Sequence, residues 1–226
     1  MSFLTAVWLV TRKDLLIEVR SREILYTTLF FAVSCVLVFA FSFVREGRAL
    51  EDAAAGILWI AIAFSGTLAL GRAFERERQS ETLRALLIAP IPRPALYVGK
   101  LVGILLLLAA VEAIVVPLIA LMFQAPLFRE PLLMFGLLAA GTIGFAAVGT
   151  LFAAMLVRAR SRDVLLPVLL YPITVPVIIA GVRGTSALLQ ADVDVPMARA
   201  WLSMLMFFDV VFITLALWTF EPVMTE

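Results

Sequence analysis

The chain contains no histidine and a single cysteine, Cys35, which sits inside an apolar run. These absences exclude an internal disulfide, an imidazole or thiolate metal cluster, and any mechanism that needs an imidazole base. Charge is scarce as well: Asp, Glu, Lys and Arg make up 15% of 226 residues, against about a quarter in an ordinary soluble domain. The formal net charge of +1 offers no basic surface for a polyphosphate, so nucleic acid is not an expected partner. No catalytic constellation and no metal-ligand set stands out, and the chain is read as a non-enzyme. What is abundant is apolar: 63% of the residues are hydrophobic and the mean hydropathy is +1.08. A soluble enzyme and a disordered chain are both poor readings of that composition.

The apolar residues collect into six blocks about 18 to 26 residues long, the length that crosses roughly 30 Å of hydrocarbon. They run near Ile24–Val44, Ala53–Leu70, Leu101–Phe123, Leu132–Val157, Val164–Val182 and Ala200–Phe220. In lipid each backbone must satisfy its own polar groups, which a helix or a closed barrel achieves. Barrel strands would be short and alternating, and these blocks are neither. The expected fold class is all-α: a polytopic membrane protein with six transmembrane helices, one domain over residues 1–226. Residues 1–23 do not read as a cleavable signal, because Arg12, Lys13, Arg20 and Arg22 follow Leu4–Val10 rather than precede it. Leu4, Trp8, Leu15 and Val19 recur at helical spacing, which predicts an amphipathic interfacial helix; the alternative is a polar tail packed on nothing.

Basic residues set the direction of threading. Of the 18 Lys and Arg, 13 lie in the N-terminal segment, the 71–100 connection and residues 158–163. The alternate connections hold the other 5: Arg45, Arg48, Arg129, Arg183 and Arg199. The positive-inside rule then predicts a multi-pass membrane protein with both termini in the cytoplasm.

Several residues inside the apolar blocks are costly or restrictive. Glu112 and Asp209 place carboxyl groups near mid-membrane, where a charge costs about 2.5–3.5 kcal/mol on insertion scales. They read as structural or subunit contacts, with a substrate path, a buried protonated acid or a shared proton between the two as alternatives. Pro167, Pro172 and Pro176 predict a kinked fifth helix, either a hinge or a static bend set by packing. Gly136, Gly141, Gly144 and Gly149 in the fourth block favour close packing over a dedicated subunit interface. Asp192, Asp194, Arg183 and Arg199 read as a solvated outer rim.

The segment from Gly71 to Lys100 is the least lipid-like. Glu75, Arg76, Glu77 and Arg78 form a mixed-charge turn, and Ser80 or Thr82 is suited to cap a short helix. Leu83, Leu86 and Leu87 give that helix an apolar edge, and Pro90, Pro92 and Pro94 prevent regular helix beyond it. Such an element suits docking into a groove of a soluble partner, or else rests on the lipid surface.

The run Glu75–Lys100 fits E-R-x-x-x-[small]-x-T-L-x-x-L-L-x-x-P-[IV]-x-R followed by G-K, and so resembles the ABC-2 type permeases (type V exporter-like). Glu81 departs from the glycine those permeases usually carry before the T-L pair. The resemblance implies that Glu75, Arg76, Glu77, Ser80, Thr82, Leu83, Leu86, Leu87 and Pro90 form a coupling helix seated in a cytoplasmic ATPase. That ATPase would be a separate subunit carrying ATP and Mg²⁺, since the chain has no G-x-x-x-x-G-K-[ST] phosphate loop. Residues 54–61 (AAGILWIA), 82–87 (TLRALL), 90–92 (PIP) and 165–181 (LLPVLLYPITVPVIIAG) are similar to the haem exporter protein B (CcmB) family. That resemblance implies a permease subunit of the cytochrome c maturation system in a bacterial inner membrane. It also implies a CcmA-like ATPase, a haem-handling CcmC-like subunit and a small single-span CcmD-like subunit as partners, besides membrane lipids. Without histidine here, haem would be a substrate ligated by a partner rather than a cofactor of this chain. Two other readings stand beside it: a non-conducting mechanical subunit that remodels a haem-handling partner, and an ABC-2 exporter of another lipid or drug.

Overall fold

Seven α-helices follow one another among the described residues of the computed structural model. Those residues are 2–42, 49–74, 92–157, 159 and 161–225, with only backbone described at 49–52 and 223–225. The helices are α1 (Phe3–Ser21), α2 (Glu23–Ser42), α3 (Ala49–Arg72), α4 (Arg93–Met122), α5 (Pro131–Met155), α6 (Arg162–Leu189) and α7 (Val195–Thr225). All but α1 are long and apolar enough to cross a membrane, so the six-span reading holds.

Local chemistry sets the helix ends. Ser2 caps α1 by accepting the Thr5 N–H at 3.3 Å. At the other end Arg22 adopts the left-handed conformation, φ 55°, and its N–H reaches the Glu18 carbonyl at 2.6 Å. The Glu18 carboxylate then accepts the Leu25 N–H at 2.8 Å, satisfying a free donor in the first turn of α2. Asp194 caps α7 through the Met197 N–H at 2.9 Å, so this acid has a structural duty and is more than a solvated rim. One expectation fails. Pro92 and Pro94 do not block helix; α4 starts at Arg93, with Pro92 as its N-cap and Pro94 in the first turn. There a proline has no intrahelical hydrogen bond to lose.

The interfacial helix is present, and it packs on α4 rather than on nothing. Ala6, Val10 and Thr11 face the bundle, whereas Leu4, Trp8 and Val19 of the apolar stripe point outward. Thr11 Oγ1 donates to the Gly99 carbonyl at 3.0 Å. A Cβ on Gly99 would come within 2.7 Å of Val10, so glycine is what lets α1 lie this close.

α3 and α5 form the centre, with α6 and α7 packed on one side and α4, carrying α1 and α2, on the other. The key of this core is Trp59 on α3, 2% exposed. Its indole fills the gap between α5 and α6 where Gly141 and Gly181 stand; added Cβ atoms there would lie 2.1 and 2.3 Å from the ring. Its Nε1–H donates to Thr185 Oγ1 at 3.0 Å. Gly149 receives Leu70 in the same way. The glycines of α5 are therefore occupied from within the chain, as ordinary tight packing requires.

The three prolines of α6 are carried inside one continuous helix. Thr174 Oγ1 donates to the Leu170 carbonyl of the preceding turn at 3.0 Å.

Candidate functional site

The candidate coupling residues Glu75, Arg76, Glu77, Ser80, Thr82, Leu83, Leu86, Leu87 and Pro90 lie outside the described residues. Both ends of their segment are described, and these ends are tied together. On the α3 side the chain leaves through Ala73 and the fully buried Phe74. On the α4 side it re-enters at Pro92, and two turns further on stands Lys100, whose side chain is 4% exposed.

Lys100 is a cation taken out of water, and such a group is tolerable only when its donors are met. Its Nζ lies 2.9 Å from Asp14 Oδ2 on α1 and 3.0 Å from the Ala73 carbonyl, and 5.1 Å above the Phe74 ring. One ammonium therefore links α1, the end of α3 and α4. Arg162 at the start of α6, 3% exposed, makes a comparable link by donating to the Gly71 carbonyl. Two cations thus cap the last carbonyls of α3, where the helix dipole is negative. Arg72–Glu23 (3.3 Å) and Arg93–Glu221 (3.5 Å) add exposed pairs at the same end of the bundle. Exposed pairs contribute little energy. With the Arg162 contact they show that the starts of α2, α4 and α6 share one face with the ends of α3 and α7. Tyr97 completes this level, donating to the Ala147 carbonyl of α5 at 3.0 Å and lying 5.4 Å from the Phe220 ring.

Sequence reading used Arg162 as a topology charge, and Lys100 as a topology charge and the last residue of the permease-like motif. The available signal was a Gly–Lys pair opening an apolar span, but the partners of that lysine lie 27 and 86 positions away in the sequence. Those contacts, to Ala73 and Asp14, exist only once α1, α3 and α4 have assembled.

The two intramembrane acids occupy different sites. Glu112 on α4 accepts a hydrogen bond from Thr142 Oγ1 on α5. Asp209 on α7 is 8% exposed and lies over Gly144, where a Cβ would come 2.6 Å from its Oδ1. Among the described residues that Oδ1 has no hydrogen-bond partner. Thr142 and Gly144 are about 200° apart around α5, so the two acids lie on opposite faces of it and do not share a proton.

A family model described as CcmB protein matches residues 5–224. The chain is 30% identical to "Heme exporter protein B" of Rhodobacter capsulatus over 196 residues, covering 82% of this chain and 85% of that one. It is 27% identical to the Pseudomonas aeruginosa protein of the same name, covering 80% and 81%. Over 155 residues it is 32% identical to the Paracoccus denitrificans protein so named, covering 69% and 70%.

Proposed function

The chain belongs to the CcmB protein family, and on that premise we propose that it is the permease subunit of an ABC complex in a bacterial inner membrane. The process served is haem delivery for cytochrome c maturation. ATP is hydrolysed by a separate CcmA-like subunit in the cytoplasm, and residues 75–90 take up that work. A CcmC-like subunit ligates haem and a CcmD-like single-span subunit completes the complex. Both termini face the cytoplasm, in keeping with the basic residues gathered at that end of the bundle.

The observation that carries this reading is the clamp at the root of the segment. A displaced loop moves membrane helices only if its attachments are stiff. Lys100 binds the leaving strand, the returning helix and α1 in one junction, and Arg162 adds α6. Push or pull on residues 75–90 is thereby delivered to α1, α3, α4 and α6 together. As the test, Leu86→Asp, or charge reversal at Glu75 or Glu77, leaves insertion intact and breaks the link between ATP hydrolysis and haem delivery. Coupling that survives all three changes overturns the docking assignment.

The filled centre around Trp59 supports the second reading, in which the subunit conducts nothing and remodels its haem-handling partner. Glu112 and Asp209 fit that reading as packing groups. Glu112→Gln and Asp209→Asn each lower the yield of assembled complex more than the turnover per assembled complex, measured by co-purification and haem transfer. Normal assembly with abolished turnover assigns them to a transport path instead.

A further inference from the structure

A cleft of about 450 Å³ opens between the second half of α1, the start of α2, the end of α3 and the first half of α4. It borders the Lys100 junction, whose Lys100, Asp14 and Ala73 form part of its wall. Its floor is made by small and aliphatic residues of α4: Gly103, Leu107 and Ala110 share one helix face at i, i+4, i+7 spacing. A Cβ on Gly103 would meet nothing nearer than Asp14 Cβ, at 3.9 Å, so the glycine leaves open space there. Leu25 of α2 and Ala69 of α3 close the sides.

The cleft is polar at one end only. Arg22, Arg72 and Lys100 stand there with the carboxylates of Asp14 and Glu18, leaving one cation in excess. Arg72 is paired with Glu23, whereas among the described residues Arg22 meets no carboxylate. Its guanidinium donates to the Tyr26 hydroxyl at 3.2 Å and to the Val19 carbonyl at 3.4 Å. Arg22 is also held at φ 55°, a conformation uncommon for a residue with a side chain, at the corner where the surface helix turns into the first span. From Lys100 to Ala110 the trough descends about 15 Å along α4, half of the roughly 30 Å hydrocarbon core. It is one leaflet deep, apolar below, and lined at its polar end by three cations and two carboxylates, with Arg22 in no ion pair among the described residues.

We infer that this cleft seats an acyl chain of one phospholipid from the adjoining leaflet, with an anionic headgroup at Arg22. Its depth matches a single leaflet, and the charge at its mouth is complementary to a phosphodiester carrying a net negative headgroup. Haem shares that amphiphilic character but fits less well. Among the described residues the wall offers no histidine, cysteine or methionine to the iron, and the Tyr26 oxygen is already engaged by Arg22. A lipid seated here would wedge α1 away from α2 and fix the angle of the helix that the Lys100 junction holds.

The test uses the full chain in nanodiscs of equimolar phosphatidylglycerol and phosphatidylcholine, transferred to mild detergent and read by native mass spectrometry. The wild-type chain retains phosphatidylglycerol over phosphatidylcholine by about fivefold, the weight of one basic side chain at a lipid surface. Arg22→Asn, a residue that tolerates the same backbone conformation, brings the preference to parity while a lipid is still retained. Gly103→Leu and Ala110→Phe fill the trough and abolish retention, with helical content and melting unchanged. Retention and preference that persist through all three changes overturn the inference. So does a haem Soret shift that Gly103→Leu abolishes while lipid retention stays at the wild-type level, which assigns the cleft to haem.

Discussion

Gly181→Leu is expected to leave no folded chain in the membrane, and Trp59→Ala to leave a folded chain that melts well below the wild type. Both follow from one contact. The indole occupies the space that side chains at positions 141 and 181 would need, with the nearest approaches at 2.1 and 2.3 Å for a Cβ alone. A leucine at 181 has no room unless α3 leaves its place between α5 and α6. Removing the indole instead opens a cavity at the centre, at a cost of about 3–5 kcal/mol by the experience of buried tryptophans. In lipid that cost is lost packing rather than exposure to water, since acyl chains are as apolar as the core. Trp59→Phe separates volume from hydrogen bonding: it keeps most of the filling and loses only the bond to Thr185, worth about 0.6 kcal/mol in membrane helices. Thermal unfolding in detergent checks the order: wild type, then Trp59→Phe, then Trp59→Ala. Equal midpoints for the first and last would remove Trp59 from the centre.

Lys100→Met carries the second large expected effect, and it falls on coupling rather than on insertion. Methionine has similar length and apolarity, so the span still enters the membrane. Asp14 and the Ala73 carbonyl then lose their shared donor. A broken, fully buried pair costs about 3–5 kcal/mol. The figure here is lower, because Asp14 is 23% exposed and keeps Lys13 at 3.0 Å. The measurable result is a loosened α1. Limited trypsin digestion cuts at Arg12 and Lys13 faster, and ATP hydrolysis by the complex continues with less haem delivered per ATP. An unchanged ratio, with α1 equally protected, removes the junction from the transmission path. Lys100→Arg restores charge but not compact geometry, so partial recovery is the expected control.

The six spans were legible because length and apolarity alone decide whether a helix crosses a bilayer. α1 was legible from its period, and the structure adds which side faces the protein: Ala6, Val10 and Thr11, not the larger apolar stripe. The start of α4 was misread, since Pro92 and Pro94 look identical in sequence whether they end one helix or begin the next. Glu112 and Asp209 were recognisable as costly groups, but their partners Thr142 and Gly144 are ordinary residues whose importance is purely spatial. The same holds for Gly141 and Gly181, which lie on different helices and meet only through Trp59. The coupling segment was read from a motif and from resemblance. What the structure contributes there is the set of contacts at its two ends, Lys100 with Ala73 and Asp14, and Arg162 with Gly71.

The four tryptophans end up in three surroundings. Trp8 and Trp218 face outward, Trp201 is half-covered, and Trp59 is shut inside. Brominated acyl chains quench an indole only by touching it, so in a closed bundle they dim the outer two and spare the inner one. Any working stroke that parts α3 from α5 and α6 would bring that spared emission within their reach. The chain thus carries its own optical gauge of opening, with no label attached.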